Sequence, residues 1–153
     1  MAGAFEGLRV LDLSERLAGA YAARLEAGEL LTEIRFAKHP PHFAFHEFCR
    51  RHNDFAVLSV AATGTVSGDG VWRGIHIGLG GVHDTPVMAK DSMAALEGSR
   101  LSDADIAAAG TAALDAIEPP GDVRASAQYR AHLVPRYVAR ALADLRASGK
   151  ATG

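Results

Sequence analysis

From Asp54 to Val66 the chain reads DFAVLSVAATGTV, and Leu58, Val60, Ala62 and Val66 fall on alternate positions. Successive side chains of an extended chain point to opposite faces, so this spacing predicts a strand with one well-buried face. Ser67-Gly68-Asp69-Gly70 follows, and its glycines supply the positive φ that a tight reversal needs. The next run, VWRGIHIGLGG, is therefore expected to return antiparallel. Simple alternation puts Val71, Ile75, Ile77 and Leu79 in the core. It leaves Trp72, His76, Gly74, Gly78 and Gly80 on the other face, where a second backbone or helix can approach closely.

Other elements arrange themselves around this hairpin. Gly7 to Leu13 alternates like a strand, and Ser14 is placed to cap a helix that Gly28 ends. Glu29 to Ala37 reads as the first strand of the main domain. Lys38-His39-Pro40-Pro41-His42 then forms an extended turn, since its prolines exclude regular helix, and the chain re-enters the sheet at Phe43. Asp84-Thr85-Pro86 is expected to open a helix, with Thr85 as N-cap and Pro86 at the first helical position, and Gly98 closes it. A second helix begins at Ser102, with Asp103 and Asp105 near the positive end of its dipole, and runs to Pro119-Pro120. Ser126 caps a third, in which Tyr129, Leu133, Tyr137, Ala141 and Leu145 recur every fourth residue and Pro135 predicts a kink or a broken first turn. Residues from Ser148 onward read as a polar, frayed tail. Strands come first and helices afterwards, which defines an α+β domain: an antiparallel sheet of three to four strands covered by a three-helix layer. The divisions are a β-α leader over 1–28, the main domain over 29–147 and the tail over 148–153.

Charge narrows the function classes. Sixteen Lys and Arg against eighteen Asp and Glu leave a formal charge of −2, with no long basic run, so nucleic acid and anionic membranes are not expected partners. No transmembrane segment is expected. Glu6, Arg9 and Asp12 interrupt any signal-peptide core. Cys49 is the single cysteine, which excludes an internal disulfide and suits a reducing cytosol; a cytoplasmic protein is expected.

Candidate chemistry is sparse. His39, His42, His46 and His52 lie close together beside Glu47 and Cys49, but His39 and His42 flank two prolines and Cys49 lacks a cysteine partner. Neither spacing is a recognised zinc arrangement, so no metal site is assigned. Cys49 reads as a small packed residue rather than a nucleophile. Gly78-Leu79-Gly80-Gly81 has the look of a phosphate loop, yet it closes an antiparallel strand and Asp84 intervenes before the next helix, so a bulge or close packing accounts for it better. Arg50-Arg51 is suited to a phosphate or a partner carboxylate, or to Asp54 or a helix carboxylate at the sheet edge. No catalytic residue is assigned.

Three blocks, FCRRHNDFAVLSVAA, IHIGLGGVHDTPV and ASAQYRAHLVPRYVARAL, occur in an order that resembles the C-terminal domain of the flavoprotein (medium) subunit of molybdenum hydroxylases of the aerobic CO dehydrogenase and xanthine dehydrogenase group. The likeness runs roughly from Glu29 to Leu145, with an ELLTEIRF-like strand, an RR-x-x-DFA block, a GGV-x-x-TP turn and a YR-x-HL helix. It implies a domain that closes over a flavin whose pyrophosphate is held by glycine motifs in two preceding domains, which this sequence does not contain. No cofactor is then expected on this chain alone. FAD would sit on a partner chain, within an assembly that includes iron-sulfur and molybdopterin subunits. By the same resemblance Leu31 aligns with an aliphatic side chain near the isoalloxazine, and His46 stands at or next to a lysine that approaches the same ring. A neutral imidazole beside Glu47 cannot supply that fixed charge. Separately, EGLRVLDLSERLAGAYAARL, about Phe5 to Leu25, resembles the amino terminus of family III CoA-transferases, departing at Ala20 where a proline is usual.

These readings lead to three function classes. One is an assembly module that completes a flavin site on another chain. The second is a repurposed small-molecule-binding domain or enzyme, and the third a fragment of a fused CoA-transferase. The first two share an expected ligand or partner face made of His42, His46, Arg50, Trp72 and His76, which would also favour self-association if left uncovered.

Overall fold

The computed structural model describes residues 41–51 and 54–150, the last by its backbone alone. Contacts divide the chain into residues 1–39 and 40–153, and the architecture below is that of the second unit. The β-α leader, the strand expected over Glu29–Ala37 with Leu31 in it, and His39 and His52 all lie outside the described residues.

Four strands, β1 (His42–Phe48), β2 (Leu58–Val66), β3 (Trp72–Gly80) and β4 (Val87–Met88), form one sheet in the order β1-β2-β3-β4, each neighbouring pair antiparallel. Then come α1 (Lys90–Leu96), α2 (Asp103–Ala112), a 3-10 turn over Ala113–Ala116, and α3 (Ala127–Lys150). α3 lies against β1 and β2, α1 against β3, and α2 packs on both helices. This is the α+β arrangement expected, with the core between sheet and helix layer. Leu58, Val60 and Ala62 on β2 and Ile77 and Leu79 on β3 are buried there against Val134, Val138, Leu142 and Leu145 of α3 and Leu96 of α1. Each large aliphatic side chain so buried contributes roughly 1.5–3 kcal/mol.

The hairpin between β2 and β3 closes as its glycines require. Ser67 N–H donates to Val71 O at 2.9 Å, Gly70 N–H donates to Ser67 O at 2.8 Å, and Gly70 has φ 79°. The face of Trp72 differs from simple alternation. Between Thr63 and Thr65 the β2–β3 register shifts, so that β3 carries an extra residue at Gly74, whose φ is 57°. A bulge of this kind reverses the in-out parity beyond it. Trp72 therefore joins Ile75, Ile77 and Leu79 in the core at 2% exposure. Its indole lies over Gly64 and Gly149: a Cβ at either glycine would come within 3.2 Å or 2.7 Å of the ring.

Helix starts divide into two kinds. Ser102 makes a reciprocal capping box with Asp105, and Ser126 Oγ accepts from Tyr129 N–H at 3.2 Å, both as expected. Thr85-Pro86 does not start a helix. Val87 and Met88 pair with Leu79 and Gly78, and Ala89 N–H donates to Ile77 O at 3.0 Å. Pairing to the sheet edge outweighs the local cap signal, and α1 begins only at Lys90 with no side-chain cap. Gly98, φ 76°, follows its end. Pro135 lies within the 24 residues of α3, where its backbone packs on α2: a Cβ on Gly110 would sit 2.9 Å from Pro135 O. α3 also runs on through Ser148 and Gly149, so these two belong to the helix rather than to a tail.

Candidate functional site

One end of the sheet gathers the three sequence blocks. Arg130 of the YR-x-HL helix is 3% exposed. Its guanidinium donates to Val57 O, to Gly81 O at 2.8 Å and to Asp122 Oδ2 at 2.9 Å. Those acceptors belong to the DFA segment before β2, the GGV turn after β3 and the loop before α3. Gly81 has φ 80°, and a Cβ on it would lie 2.6 Å from Val57 O, so this crossing of loops requires glycine. Asp122 accepts from Arg124 N–H at 2.8 Å and Ala125 N–H at 3.0 Å. These backbone bonds, with Arg130 beside them, hold its carboxyl below the ordinary range. Arg130 Nε is buried without a partner, so the residue is held by its two terminal nitrogens.

The surface built on this clamp is apolar at its tips. Phe55 is 74% and Val123 95% exposed, and the Arg124 guanidinium lies 4.9 Å over the Phe55 ring. Arg50 donates to Val123 O at 3.1 Å and Arg124 O at 3.4 Å, so it ties the two loops through carbonyls rather than pairing with Asp54 or a helix carboxylate. Asp54 Oδ1 instead accepts from Phe55 N–H at 2.8 Å. Cys49 stands beside this end, its thiol pushed up by desolvation first and then by Glu47, which disfavours a reactive thiolate.

Of the five residues expected to share one face, His42 and Trp72 come together and the other three stand apart from them. His42 pairs with Gly64 while Phe48 pairs with Leu58, so His42 lies at the far end of β1 from Arg50. It is 7% exposed, edge-on to Trp72 with ring centroids 5.5 Å apart and Ser148 Oγ 3.4 Å from Nδ1. His46 faces the helix layer, and its Nε2 is 2.8 Å from Asp144 Oδ2, a link from β1 to α3. Trp72 is in the core. His76 sits opposite Thr63 on the face away from the helices, with Gly78 and Gly80. Leu31 lies outside the described residues. Among the described residues no group of three His, Cys, Asp or Glu side chains is placed to hold a metal ion.

The opposite end of the sheet carries a cleft of about 600 Å³ between the β2–β3 turn, the loop entering α2 and the last turns of α3. His42, Ser67, Trp72, Arg100, Leu101 and Arg146 are among its walls. Sequence reading missed it because its parts come from four separated segments. It also missed Arg130, whose signal was the YR-x-HL block itself: an arginine on the buried stripe of an amphipathic helix must find acceptors.

An antiparallel sheet with one helix layer and a loop-crossing arginine at one end defines the class of domain. The family model of the CO dehydrogenase flavoprotein C-terminal domain matches residues 43–145, and the chain belongs to that family. It is 34% identical to the 6-hydroxypseudooxynicotine dehydrogenase complex subunit alpha of Paenarthrobacter nicotinovorans, over 93% of this chain and 49% of that protein. It is 31% identical to the carbon monoxide dehydrogenase medium chain of Afipia carboxidovorans, over 95% of this chain and 51% of that one. In structure it resembles the carbon monoxide dehydrogenase of Hydrogenophaga pseudoflava, with a TM-score of 0.67 and 31% identity over 70% of this chain and 37% of that chain. The chain thus spans about half the length of the relatives it matches. Alignments over 93 and 95% of the chain take in most of residues 1–28, which relates that stretch to medium chains and lends no support to a CoA-transferase origin. No helix among the described residues is long and apolar enough to cross a membrane.

Proposed function

We propose that this domain is an assembly module of a molybdenum-hydroxylase flavoprotein, completing a flavin site whose dinucleotide-binding glycines lie on an FAD-binding partner, and that it docks through the Arg130 end. The convergence of all three family blocks on one buried arginine carries the reading. Arg130, Gly81 and Asp122 hold the loops, and Phe55 and Val123 are the apolar anchors they present. Iron-sulfur and molybdopterin subunits would complete the assembly.

Gly80 and Gly81, the glycines with the look of a phosphate loop, do not fit a pyrophosphate. The space that a Cβ would take at Gly80 is filled by Ser59 Oγ, and that at Gly81 by Val57 O, so both serve chain packing and leave no cradle. The flavin phosphates must then be held elsewhere, and this chain's part is to cover the site and exclude water from it.

Phe55→Asp tests the reading with little risk to the fold, because the ring is exposed. Pull-down with an FAD-binding chain of the family should succeed for the wild type and fail for the variant, a loss of about 2–4 kcal/mol if Phe55 is a central anchor. The purified chain should be colourless. Stoichiometric flavin on it alone, or docking indifferent to Phe55→Asp, would overturn the proposal.

A further inference from the structure

The cleft at the hairpin end is independent of the docking end, and the Lys, Arg, Asp and Glu side chains among its described lining residues are two arginines. Arg100 and Arg146 reach it from the loop entering α2 and from α3, and no carboxylate is among its described lining residues. Arg146 is already engaged: Nη1 donates to Leu101 O and to Asp103 Oδ1, each at 2.8 Å. Arg100 is not. Among the described residues it makes no hydrogen bond and no ion pair; its charge acts at a distance on Asp69, whose Oδ1 accepts from Ser67 Oγ–H and Val71 N–H.

The backbone keeps Arg100 at the cleft. Trp72 N–H donates to Ser99 O at 2.8 Å and Gly98 N–H donates to Trp72 O at 2.9 Å, which fastens the loop next to Arg100 to the first residue of β3. Arg100 Nη1 would lie 3.6 Å from a Cβ on Gly70, so the guanidinium stands over the hairpin turn with its planar fork free. Such a fork matches the paired oxygens of a carboxylate or phosphate, and a concave wall weakens the solvent screening that makes an exposed arginine a poor ligand. Val66 and Leu101 beside it give an apolar wall, and the hydroxyl of Ser102, which accepts from Asp105 N–H, keeps its proton to donate.

We propose that this cleft binds a small organic oxyanion, a carboxylate or a phosphate monoester on a compact apolar body, with Arg100 as the residue that grips the charged group. The single tryptophan of the chain, Trp72, lines the cleft and reports on it directly.

The test is a titration of the full chain with benzoate, with phenyl phosphate and with neutral benzyl alcohol, read by Trp72 fluorescence. Saturable changes with at least one of the two anions and none with the alcohol are expected. Arg100→Gln should weaken the tighter anion by about tenfold, the usual effect of losing one charge-assisted contact. Arg136→Gln, an exposed α3 arginine outside the cleft, should leave it unchanged. Unaltered melting of Arg100→Gln would show that the loss is one of binding and not of folding. No saturable response to either anion, a response to the alcohol equal to theirs, or an affinity insensitive to Arg100→Gln would each overturn the proposal. Docking to an FAD-binding chain plays no part in these readouts, so their failure leaves the assembly reading standing.

Discussion

The two ends of the sheet use arginine in opposite ways. At the motif end Arg130 is buried, and its terminal nitrogens are spent on two carbonyls and a carboxylate from three different loops. At the hairpin end Arg100 is exposed and Arg146 is half committed, and a cleft remains between them. A buried guanidinium must be satisfied by the protein because water cannot reach it, so it fixes whatever backbone supplies its acceptors. An exposed one carries no such demand and stays available to a ligand. The motif end is therefore held in one shape by its own arginine, and the hairpin end leaves a guanidinium open to solvent.

The core beneath both ends should respond most strongly. Val60→Asp or Ile77→Asp would set an unpaired carboxylate between sheet and helices, at a cost of several kcal/mol, enough to abolish a cooperative melt. Melting near the wild type would show that the strand faces are inverted. Arg130→Met separates the two ends next. It strands the carbonyls of Val57 and Gly81 and the Asp122 carboxylate, and should cost about 3–5 kcal/mol. Arg100→Met, with no partner to strand, should shift stability by less than about 0.5 kcal/mol. Equal losses in urea denaturation would erase the contrast.

Much of this was legible in the chain. Period-two alternation found β2 and the glycine turn found the hairpin, since both are set by neighbours in sequence. Ser102 and Ser126 declared two helix starts because a cap is a local contact. What escaped was decided at a distance. Trp72 changed face because Gly74 adds one residue to β3, and parity is lost at a bulge that no alternation count can anticipate. Thr85-Pro86 looked like a cap, but Leu79 and Gly78 offered a strand edge to Val87 and Met88. The grouping of His42 with Arg50 failed for a related reason: eight residues of nearly extended chain carry them to opposite ends of one strand.

Among the described residues each end also holds one carboxyl that is lowered from its ordinary value of 3.8, and acid should distinguish them. Asp122 is held down first by the backbone N–H of Ala125, Asp69 first by the Ser67 hydroxyl. A carboxyl whose folded value lies below its unfolded one contributes stability that is fully present above the unfolded value and is lost as pH falls through the folded one. The melting temperature should accordingly drop below about pH 4. Asp122→Asn and Asp69→Asn should each flatten that limb. Only the first should also lower the plateau at neutral pH, because only Asp122 serves a buried arginine. A plateau lowered equally by both would mean that the hairpin end is as tightly built as the motif end.

The smallest effect expected is that of His46→Lys. The His46–Asp144 contact joins β1 to α3 between the two ends, and both side chains are substantially open to solvent. Lysine has the reach and the charge to keep an ion pair with Asp144, and an exposed pair of this kind changes stability by no more than about 1 kcal/mol. If the domain works as an assembly module, a fixed positive charge here should leave docking to an FAD-binding chain unchanged or improve it. Affinity for an oxyanion in the hairpin cleft should stay the same, because His46 is not among the described residues that line it. Melting, pull-down and the Trp72 titration on the same variant read all three quantities. A melting loss of several degrees would show the β1–α3 link to be a structural element of the core. Lost docking with intact melting would place His46 itself in the interface and extend the docking end along β1, and a changed anion affinity would join the two ends that the arginines hold apart.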